Sequence, residues 1–205
     1  MNTTHLQCAE QYCLLGWRLV PVHGLTDGTC SCGSANCGRA GKHPRVVGWT
    51  TKASADARQV AAWWTTWPQA NVGLATGADS GVVVLDIDGE TGRATLGELA
   101  GQDPSVLDTH IHRTGGGGSH LFYEHPGFKC GNSVRTMPGI DIRGDGGLIV
   151  LPPSLHKSGF RYQVMTDRSA APLPDSLKPL FYECHKEEQR DTRRVEEKQR
   201  KGREG

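Results

Sequence analysis

One short apolar run near the middle of the sequence constrains the fold most. Residues 81–87 contain Val-Val-Val-Leu followed by Asp86 and Ile87, and Asp88 comes directly after them. A continuous apolar run of this length is typical of a strand that is buried on both faces. We therefore expect a strand that is too apolar to lie at the edge of a sheet.

Asp86 and Asp88 end this strand as an Asp-Ile-Asp pair. Alternate residues of a strand face the same way, so both carboxylates leave one face of the sheet. Two like charges this close repel each other unless a cation lies between them, and Mg²⁺ and Mn²⁺ prefer carboxylate oxygens. Such pairs are common by chance, but the buried strand before this one favours a metal site at the strand end.

A second acidic strand strengthens this interpretation. Residues 139–143 are Gly-Ile-Asp-Ile-Arg, so Asp141 and Arg143 share a face. Asp141 would complete a site of three carboxylates, with Arg143 nearby for phosphate or template. The alternative is a structural Asp–Arg pair. Asp145, in the glycine-rich segment that follows, is expected to be a turn residue.

A run of four glycines lies between these strands, in Thr-Gly-Gly-Gly-Gly-Ser-His at residues 114–120. Glycines let backbone N–H groups approach an anion closely, and Ser119 and His120 can donate to phosphate oxygens. The segment lacks the Gly-Lys-Ser ending of a P-loop and the helix that follows one. A flexible hairpin is the alternative. Beside three carboxylates, however, the run favours a triphosphate cradle, and the matching reaction class is two-metal phosphoryl transfer.

Three cysteines and a histidine, Cys30, Cys32, Cys37 and His43, fall within 14 residues. Three thiolates and one imidazole match a tetrahedral zinc site, which would be structural because no position remains for water. His23 is a substitute ligand. The chain has seven cysteines and no secretory signal at its N-terminus. We therefore expect a reduced, cytoplasmic protein with one metal cluster and not a disulfide scaffold.

The remaining pattern predicts alternating helices and strands without an internal repeat. Residues 24–48 form a Gly- and Cys-rich irregular insertion. Trp63, Trp64 and Trp67 are expected in the core and not on a base-stacking platform. The predicted helices start at residues 4, 54 and 91 and end at residues 16, 68 and 99, with Leu6, Ala9, Cys13 and Leu14 on one face of the first. The predicted strands cover residues 18–22, 71–76, 81–87, 109–114, 119–124, 139–143, 147–151 and 160–164.

Charge and length narrow the class of protein. The chain has 205 residues and a formal net charge of +1, which fits one domain and excludes a strongly basic surface that would coat DNA. The last twenty residues carry eight basic and six acidic side chains, so the body before them is near −1. Nucleic acid would be bound in a local groove or with the help of bound cations. No apolar run approaches the roughly 20 residues of a membrane span.

In their order and spacing these segments resemble the prim-pol domain, which is the N-terminal domain of bifunctional DNA primase/polymerases in the archaeo-eukaryotic primase superfamily. The resemblance covers roughly residues 5–165. It includes the segments at 16–22, 41–45, 71–77, 86–88, 118–123, 140–147 and 152–162. It implies an α/β fold in which an α/β half and an RRM-like half meet at a catalytic cleft, with a zinc-binding loop at about residues 24–48.

The resemblance also implies a role for each matching residue. Asp86, Asp88 and Asp141 would be the catalytic ligands of Mg²⁺ or Mn²⁺. His120, with Ser119, would contact the phosphates of the incoming nucleotide, and Arg143 and His156 lie where nucleotide- or template-side contacts are expected. Ser119 and His120 are adjacent here, whereas one residue usually separates them in the family. The zinc ligands implied by the family are Cys30, Cys32, Cys37 and His43.

The function implied is a template-dependent nucleotidyltransferase. It would make short primers or extend chains from NTPs or dNTPs on single-stranded DNA during replication of a phage, plasmid or other mobile element. A helicase acting in trans is a candidate partner, and no membrane is expected. Residues 1–184 would form the catalytic domain and residues 185–205 a charged tail, in a chain that is either stand-alone or truncated.

Two other classes stay open. One is a replication module that binds nucleotide and single-stranded DNA without polymerising. The other is a metal-dependent phosphohydrolase that uses the same carboxylates on a nucleotide. The near-neutral body lends these alternatives some support, and it predicts weak, salt-sensitive binding to DNA.

Overall fold

The structure, a computed structural model, describes residues 4–166 and 168–182, without the side chains of residues 134 and 135. The predicted tail at 185–205 and Cys184 therefore lie outside the described residues. The helices are α1 (His5–Leu14), α2 (Trp49–Lys52), α3 (Ala57–Thr66) and α4 (Gly89–Gln102). The strands are β1 (Leu19–Val22), β2 (Leu25–Thr26), β3 (Thr29–Cys30), β4 (Asn71–Ala75), β5 (Val82–Ile87), β6 (His110–Arg113), β7 (Ser119–Glu124), β8 (Ser133–Met137), β9 (Ile140–Arg143), β10 (Leu148–Leu151) and β11 (Gln163–Val164).

Two antiparallel sheets form the body of the fold, which confirms the predicted α/β class with two halves. One sheet has three strands in the order β1-β4-β10, and α1 and α3 pack against it. The other has six strands in the order β11-β6-β7-β5-β9-β8. A small hairpin, β2-β3, lies within the predicted irregular insertion. Two predicted catalytic residues, Asp86 of β5 and Asp141 of β9, and the predicted nucleotide contact His120 of β7 thus lie on three neighbouring strands of the six-stranded sheet.

The first helix begins as its sequence predicts but ends with a different buried face. Thr4 and Gln7 form a capping box, in which each side chain binds the other residue's backbone N–H. Ala9 and Tyr12 are the buried residues of α1, whereas Leu14 is 79% exposed. The prediction that Leu14 lies on the buried face is wrong, because the chain turns into β1 directly after it.

Several element boundaries also differ from the sequence patterns. The second predicted helix is α3, which starts at Ala57 because the Asp56 side chain accepts the N–H of Arg58 and caps it. Trp64 is buried in the core and Trp63 packs against the same cluster, as predicted. Trp67 is only half-buried and lies outside the core clusters, with the Arg45 guanidinium 5.4 Å from its ring centroid, so the prediction does not hold for this residue. Strand β8 was not predicted, and β11 is shorter than the pattern suggested. Among the described residues, no helix has the length and apolar character that crossing a bilayer requires.

The central strand β5 separates two hydrophobic clusters. On one face, Val82 and Val84 pack with Trp17, Phe122 and residues of the three-stranded sheet. On the other face, Val83, Leu85 and Ile87 pack with residues of β7, β9 and the segment near 173–181. Burial on both faces confirms the prediction from the Val-Val-Val-Leu run. The face of β5 that packs against the three-stranded sheet carries Val82, Val84 and then Asp86. The carboxylates therefore begin where the apolar contact between the two sheets stops.

Candidate active site

Three polar residues stand in one row across the six-stranded sheet. Asp86 on β5 is paired directly with His120 on β7 and with Asp141 on β9. Directly opposite residues of an antiparallel pair project from the same face. The row therefore places an imidazole and two carboxylates side by side, with Asp86 in the middle.

Asp88 joins this row at the turn between β5 and α4. Its backbone N–H donates to Gly139 O at 2.8 Å, and its side chain makes no capping hydrogen bond to the helix that it precedes. The helix approaches this point closely, because a Cβ atom on Gly92 would overlap the carbonyl oxygen of Gly139. This close backbone packing anchors the Asp88 turn and leaves the Asp88 carboxylate available to the site.

The three predicted catalytic carboxylates lie together. Asp86, Asp88 and Asp141 each offer an oxygen within 4.8 Å of the others. Arg143 Nη2 donates to Asp141 Oδ2 at 2.7 Å and to Asp86 Oδ2 at 3.3 Å. Arg143 therefore forms the ion pair with Asp141 that was the alternative interpretation of this residue. A role for Arg143 toward nucleotide or template stays a prediction.

The two carboxylates of β5 differ in their electrostatic surroundings. Burial favours the neutral form of Asp86, but His120, whose Nε2 lies 3.3 Å from Oδ1, and Arg143 outweigh it and lower the pKa of Asp86 to about 2. Burial and the negative charges of Asp86 and Asp141 instead raise the pKa of Asp88. The site thus holds more negative charge than its own cations balance. Three hard oxygen ligands with uncompensated charge fit a divalent cation such as Mg²⁺ or Mn²⁺.

A cleft of about 640 Å³ opens over these carboxylates. Its lining includes Arg39 and Lys42 from the predicted zinc loop, and Lys42 is close enough to lower the pKa of Asp88 against the other effects on it. Tyr162 also lines the cleft, and burial, with Asp86 and Asp88 nearby, raises the pKa of its hydroxyl, which therefore remains a hydrogen-bond donor. No motif in the sequence marked these three residues as part of the site.

Asn71 explains why the zinc loop reaches the cleft. Its buried side-chain amide donates to Gly41 O and to Leu155 O, both at 2.9 Å, and its oxygen accepts the Leu155 N–H at 3.0 Å. One side chain of β4 therefore fixes both the loop and the segment before His156. The only sequence signal was the Asn71–Gly77 segment as a whole, within the family resemblance.

The glycine run forms a hairpin between β6 and β7. Thr114 N–H donates to Gly118 O at 2.9 Å, and Gly118 N–H donates to the Thr114 hydroxyl at 2.9 Å. Thr114 and Gly116 line the cleft. Ser119 follows on β7, where strand alternation turns it to the face opposite His120. The structure thus brings His120 to the carboxylates but does not bring Ser119 to them.

His156 lies beyond the glycine hairpin. A Cβ atom on Gly116 would lie 3.6 Å from His156 Nε2, and His156 Nδ1 is 2.9 Å from the Ser158 hydroxyl. Its ring also contacts Tyr162 edge-on. His156 is therefore beside the hairpin and the cleft wall rather than among the carboxylates. Its predicted contact with nucleotide or template stays a prediction.

The predicted zinc ligands also come together. The ligand atoms of Cys30, Cys32, Cys37 and His43 all lie within 4.8 Å of one another. His43 Nε2 is 3.3 Å from Cys30 Sγ and 3.4 Å from Cys37 Sγ. Burial raises the pKa of Cys30, but hydrogen bonds from Gly41, Cys32 and His43 outweigh it and lower the pKa to about 6. A Cys₃His set with a stabilised thiolate fits Zn²⁺.

His23 lies beside this cluster but is not part of it. Its ring stacks on His43 with the centroids 4.4 Å apart, and its Nδ1 faces the Ser31 hydroxyl at 3.1 Å. The alternative in which His23 substitutes as a ligand is therefore not what the geometry favours. The six described cysteines form no disulfide among themselves.

Asp145 is a turn residue, as predicted. Its carboxylate accepts the backbone N–H groups of Ala78 at 2.9 Å and Cys130 at 3.0 Å, and it faces His125 Nε2 at 3.2 Å. These contacts join three segments of the chain. Asp145 therefore supports the loop beside the cleft and is not a member of the three-carboxylate group.

The comparisons agree with this architecture. No curated protein matches the chain. Residues 9–176 match the family described as "Bifunctional DNA primase/polymerase, N-terminal". The match covers both sheets, the three carboxylates and the Cys₃His cluster. The chain belongs to the family of bifunctional DNA primase/polymerase N-terminal domains.

Proposed function

We propose that this chain is a nucleotidyltransferase that synthesises DNA or RNA chains on a single-stranded DNA template, making primers or extending them. The observation that carries the proposal is the convergence of Asp86, Asp88 and Asp141 beside His120 in one open cleft. We further propose that it acts in the cytoplasm, in replication of a phage, plasmid or other mobile element, with a helicase in trans.

The three carboxylates would hold Mg²⁺ or Mn²⁺. When bound, these cations supply charge that lowers the pKa of an attacking 3′-hydroxyl and that stabilises the departing pyrophosphate. Within the protein, Asp86 is kept ionised by His120 and Arg143, so it is ready to act as a ligand at neutral pH. The charge of Asp88 is only partly offset by Lys42 and His120, so a bound cation would further favour its ionised form.

The cations around the cleft would bind the triphosphate. Lys42 and Arg39 line the same cleft as the carboxylates, and His120 pairs with Asp86 across the sheet. Several positive groups around an anionic substrate would hold it in line for displacement. We propose that His120 positions phosphate oxygens and need not act as a base, with Arg143 and His156 as further contacts; Ser119, which strand alternation turns to the opposite face, is not one of them.

The Cys₃His cluster would hold a structural Zn²⁺. Two of its ligands, Cys37 and His43, bracket Arg39 and Lys42 in the sequence. Fixing both ends of this segment would restrict the loop that carries the two cleft-lining cations. We propose that residues 1–184 make up this catalytic domain and that residues 185–205 are a charged tail.

The test is synthesis on a primer-free single-stranded DNA template, with labelled nucleotides and Mg²⁺ or Mn²⁺. Wild type is compared with Asp86→Asn, which keeps the shape of the side chain and removes its charge. Asp175→Asn is the matched control, because Asp175 is an exposed aspartate paired with Lys178 and does not line the cleft. We expect products from wild type and the control, and loss of nearly all products from Asp86→Asn with its fold intact.

Other outcomes separate the remaining classes. Extension of a supplied primer only would identify a polymerase that needs help to start chains. Release of phosphate from nucleotides without a template would identify a phosphohydrolase and overturn the proposal. Binding of nucleotide and DNA with no synthesis under any condition would identify a non-catalytic module. If folded Asp86→Asn still synthesised chains, the proposed metal site would have no role in the reaction.

A further inference from the structure

We propose that a groove beside the catalytic cleft binds single-stranded DNA, with one base stacked on Phe160. The groove lies between residues 113–117 and residues 158–163 and has a volume of about 470 Å³. We call it the Phe160 groove. The inference rests on the proposed function, because it supplies the path by which a template strand reaches the carboxylates.

Phe160 is an aromatic side chain presented to solvent. It is 71% exposed, and it makes no ring contact with another described aromatic residue. The other three phenylalanines, Phe122, Phe128 and Phe181, are buried or packed against a core cluster. An exposed aromatic face is the surface on which unpaired bases stack, and such stacking tolerates any base.

Hydrogen bonds fix the backbone from which the Phe160 side chain projects. Gly159 N–H donates to His156 O at 2.9 Å, and His156 N–H donates to Phe160 O at 2.9 Å, so the segment forms a tight turn. The Ser158 hydroxyl donates to Gly115 O at 2.6 Å and joins the turn to the glycine hairpin. The ring therefore projects from a turn whose backbone is already fixed. Less conformational entropy is then lost when a base stacks on the ring.

Gly115 makes this junction possible. A Cβ atom there would overlap His156 Cβ and would lie 2.6 Å from Phe160 O. Any side chain at residue 115 would push the turn away from the hairpin. The close approach of two backbones, one after β6 and one before β11, is what creates the Phe160 groove and sets its position.

The charge of the groove suits a polyanion. Arg113 and Arg161 line it, and its described lining residues include no carboxylate. Arg161 Nη1 donates to Pro153 O at 2.7 Å, which fixes the guanidinium at the edge of the groove. Arginines beside an exposed aromatic ring in one groove are a combination by which proteins bind single strands without sequence preference.

The groove adjoins the catalytic cleft. Thr114 and Gly116 line both of them, so the glycine hairpin is their common wall. A strand whose base stacks on Phe160 would therefore pass over the hairpin toward Asp86 and His120. This continuity favours a template strand over an unrelated ligand, because the chemistry lies at the far end of the same path.

The test measures binding separately from synthesis. A fluorescein-labelled oligothymidine of about 15 nucleotides, a length within the site sizes known for single-strand binders, is titrated with the full chain and no nucleotide present. We expect Phe160→Ala to weaken binding about 5- to 160-fold, which is the range for loss of one stacked base. Phe160→Trp should bind as well as wild type or better. Leu14→Ala, which removes another exposed apolar side chain remote from both clefts, should not change binding.

Salt dependence tests the arginines. Arg113→Gln and Arg161→Gln should each reduce the slope of log affinity against log salt by about 0.7, the value for one phosphate contact on a single strand. Because these side chains are exposed, all variants should keep the melting temperature of wild type.

The two proposals can fail independently. If Phe160→Ala binds the oligonucleotide like wild type while synthesis still depends on Asp86, the groove is overturned and the proposed function stands. If binding depends on Phe160 and both arginines but no synthesis occurs under any condition, the groove stands and the polymerase does not. Equal binding of duplex and single strand by wild type would also overturn the groove, because stacking needs unpaired bases.

Discussion

Asp86 and Asp141 face each other directly across β5 and β9, so two carboxylates occupy neighbouring positions on one face of the sheet. Like charges placed opposite each other in this way destabilise a sheet by roughly 0.2–1 kcal/mol. Arg143 bonds to both carboxylates and relieves part of this repulsion. Among the described residues, no side chain forms a hydrogen bond or an ion pair with Asp88, although Lys42 and His120 attract its charge. Asp88 is therefore the best position at which to measure a charge that serves the chemistry but costs stability.

We expect Asp88→Asn to raise the melting temperature of the metal-free protein by about 1–3 °C. The pKa of Asp88 is raised by burial and by Asp86 and Asp141, so its ionised form opposes folding at any pH above that pKa. Removing the charge at pH 7 should therefore stabilise the fold while abolishing synthesis. Scanning calorimetry in EDTA measures the effect, with Asp175→Asn as control. A melting temperature of Asp88→Asn below that of wild type would contradict the repulsion between Asp88 and the other two carboxylates.

We expect Lys42→Gln to raise the KM for nucleotide about three- to tenfold, because a charge-assisted contact to phosphate would be lost. Lys42 lines the cleft, whereas Lys52, at the end of α2, does not. Lys52→Gln is therefore the matched control. Steady-state extension of a primed template gives both constants. An unchanged KM for Lys42→Gln would remove Lys42 from the nucleotide site.

We expect wild type to hold about one zinc ion per chain and Cys32→Ser to hold much less, since structural zinc sites close with four ligands. Cys13→Ser is the control, because Cys13 lies on α1 outside the four-residue cluster. Elemental analysis after dialysis against a metal-free buffer gives the content. Loss of zinc should also raise the KM for nucleotide, since Arg39 and Lys42 lie between two ligands. If purified wild-type protein contained no zinc, the prediction of a zinc site would be wrong.

We expect stability to fall as the pH is lowered from 7.5 to 5.5, partly through His112. Burial, together with His110 and His120, lowers the pKa of His112 well below its usual value, and its Nε2 lies 2.6 Å from His110 Nε2. The unfolded chain then binds a proton that the folded chain does not, so acid favours unfolding by up to about 1.4 kcal/mol per pH unit for such a group. Urea unfolding at the two pH values should show a smaller difference for His112→Gln. An equal difference would mean that His112 is not responsible.

The site residues that could be predicted are those marked by a pattern among residues close together in the sequence. Asp86, Asp88 and Asp141 follow from strand alternation, and the zinc ligands follow from cysteine spacing; both patterns depend only on neighbours along the chain. The pairing of Asp86 with His120 and Asp141 depends on which strands become neighbours, and the residues alone did not give that order. The grouping of the carboxylates with the glycine run was expected from the types of residue, and the family resemblance implied the same set.

The residues that were missed depend on contacts between distant segments. Arg39 and Lys42 belong to an irregular loop, and their position over the carboxylates depends on the hydrogen bonds of Asn71 to Gly41 and Leu155. Strand β8 has few alternating apolar residues, so its sequence did not mark it. Leu14 follows the helical period but lies at the end of α1, where the chain leaves the core. In each case tertiary packing decided what local propensity could not.

The core shared by the two sheets has a consequence for how substrates arrive. Val82, Val84 and Phe122 pack against the three-stranded sheet immediately beside the row that holds Asp86 and His120. Closure of one half upon the other would have to break this dry contact, because the walls of the cleft are the continuation of the core itself. We therefore expect the width of the catalytic cleft to be the same before and after a nucleotide binds. Discrimination between correct and incorrect nucleotides would then rest on side chains at the rim, not on a closing motion.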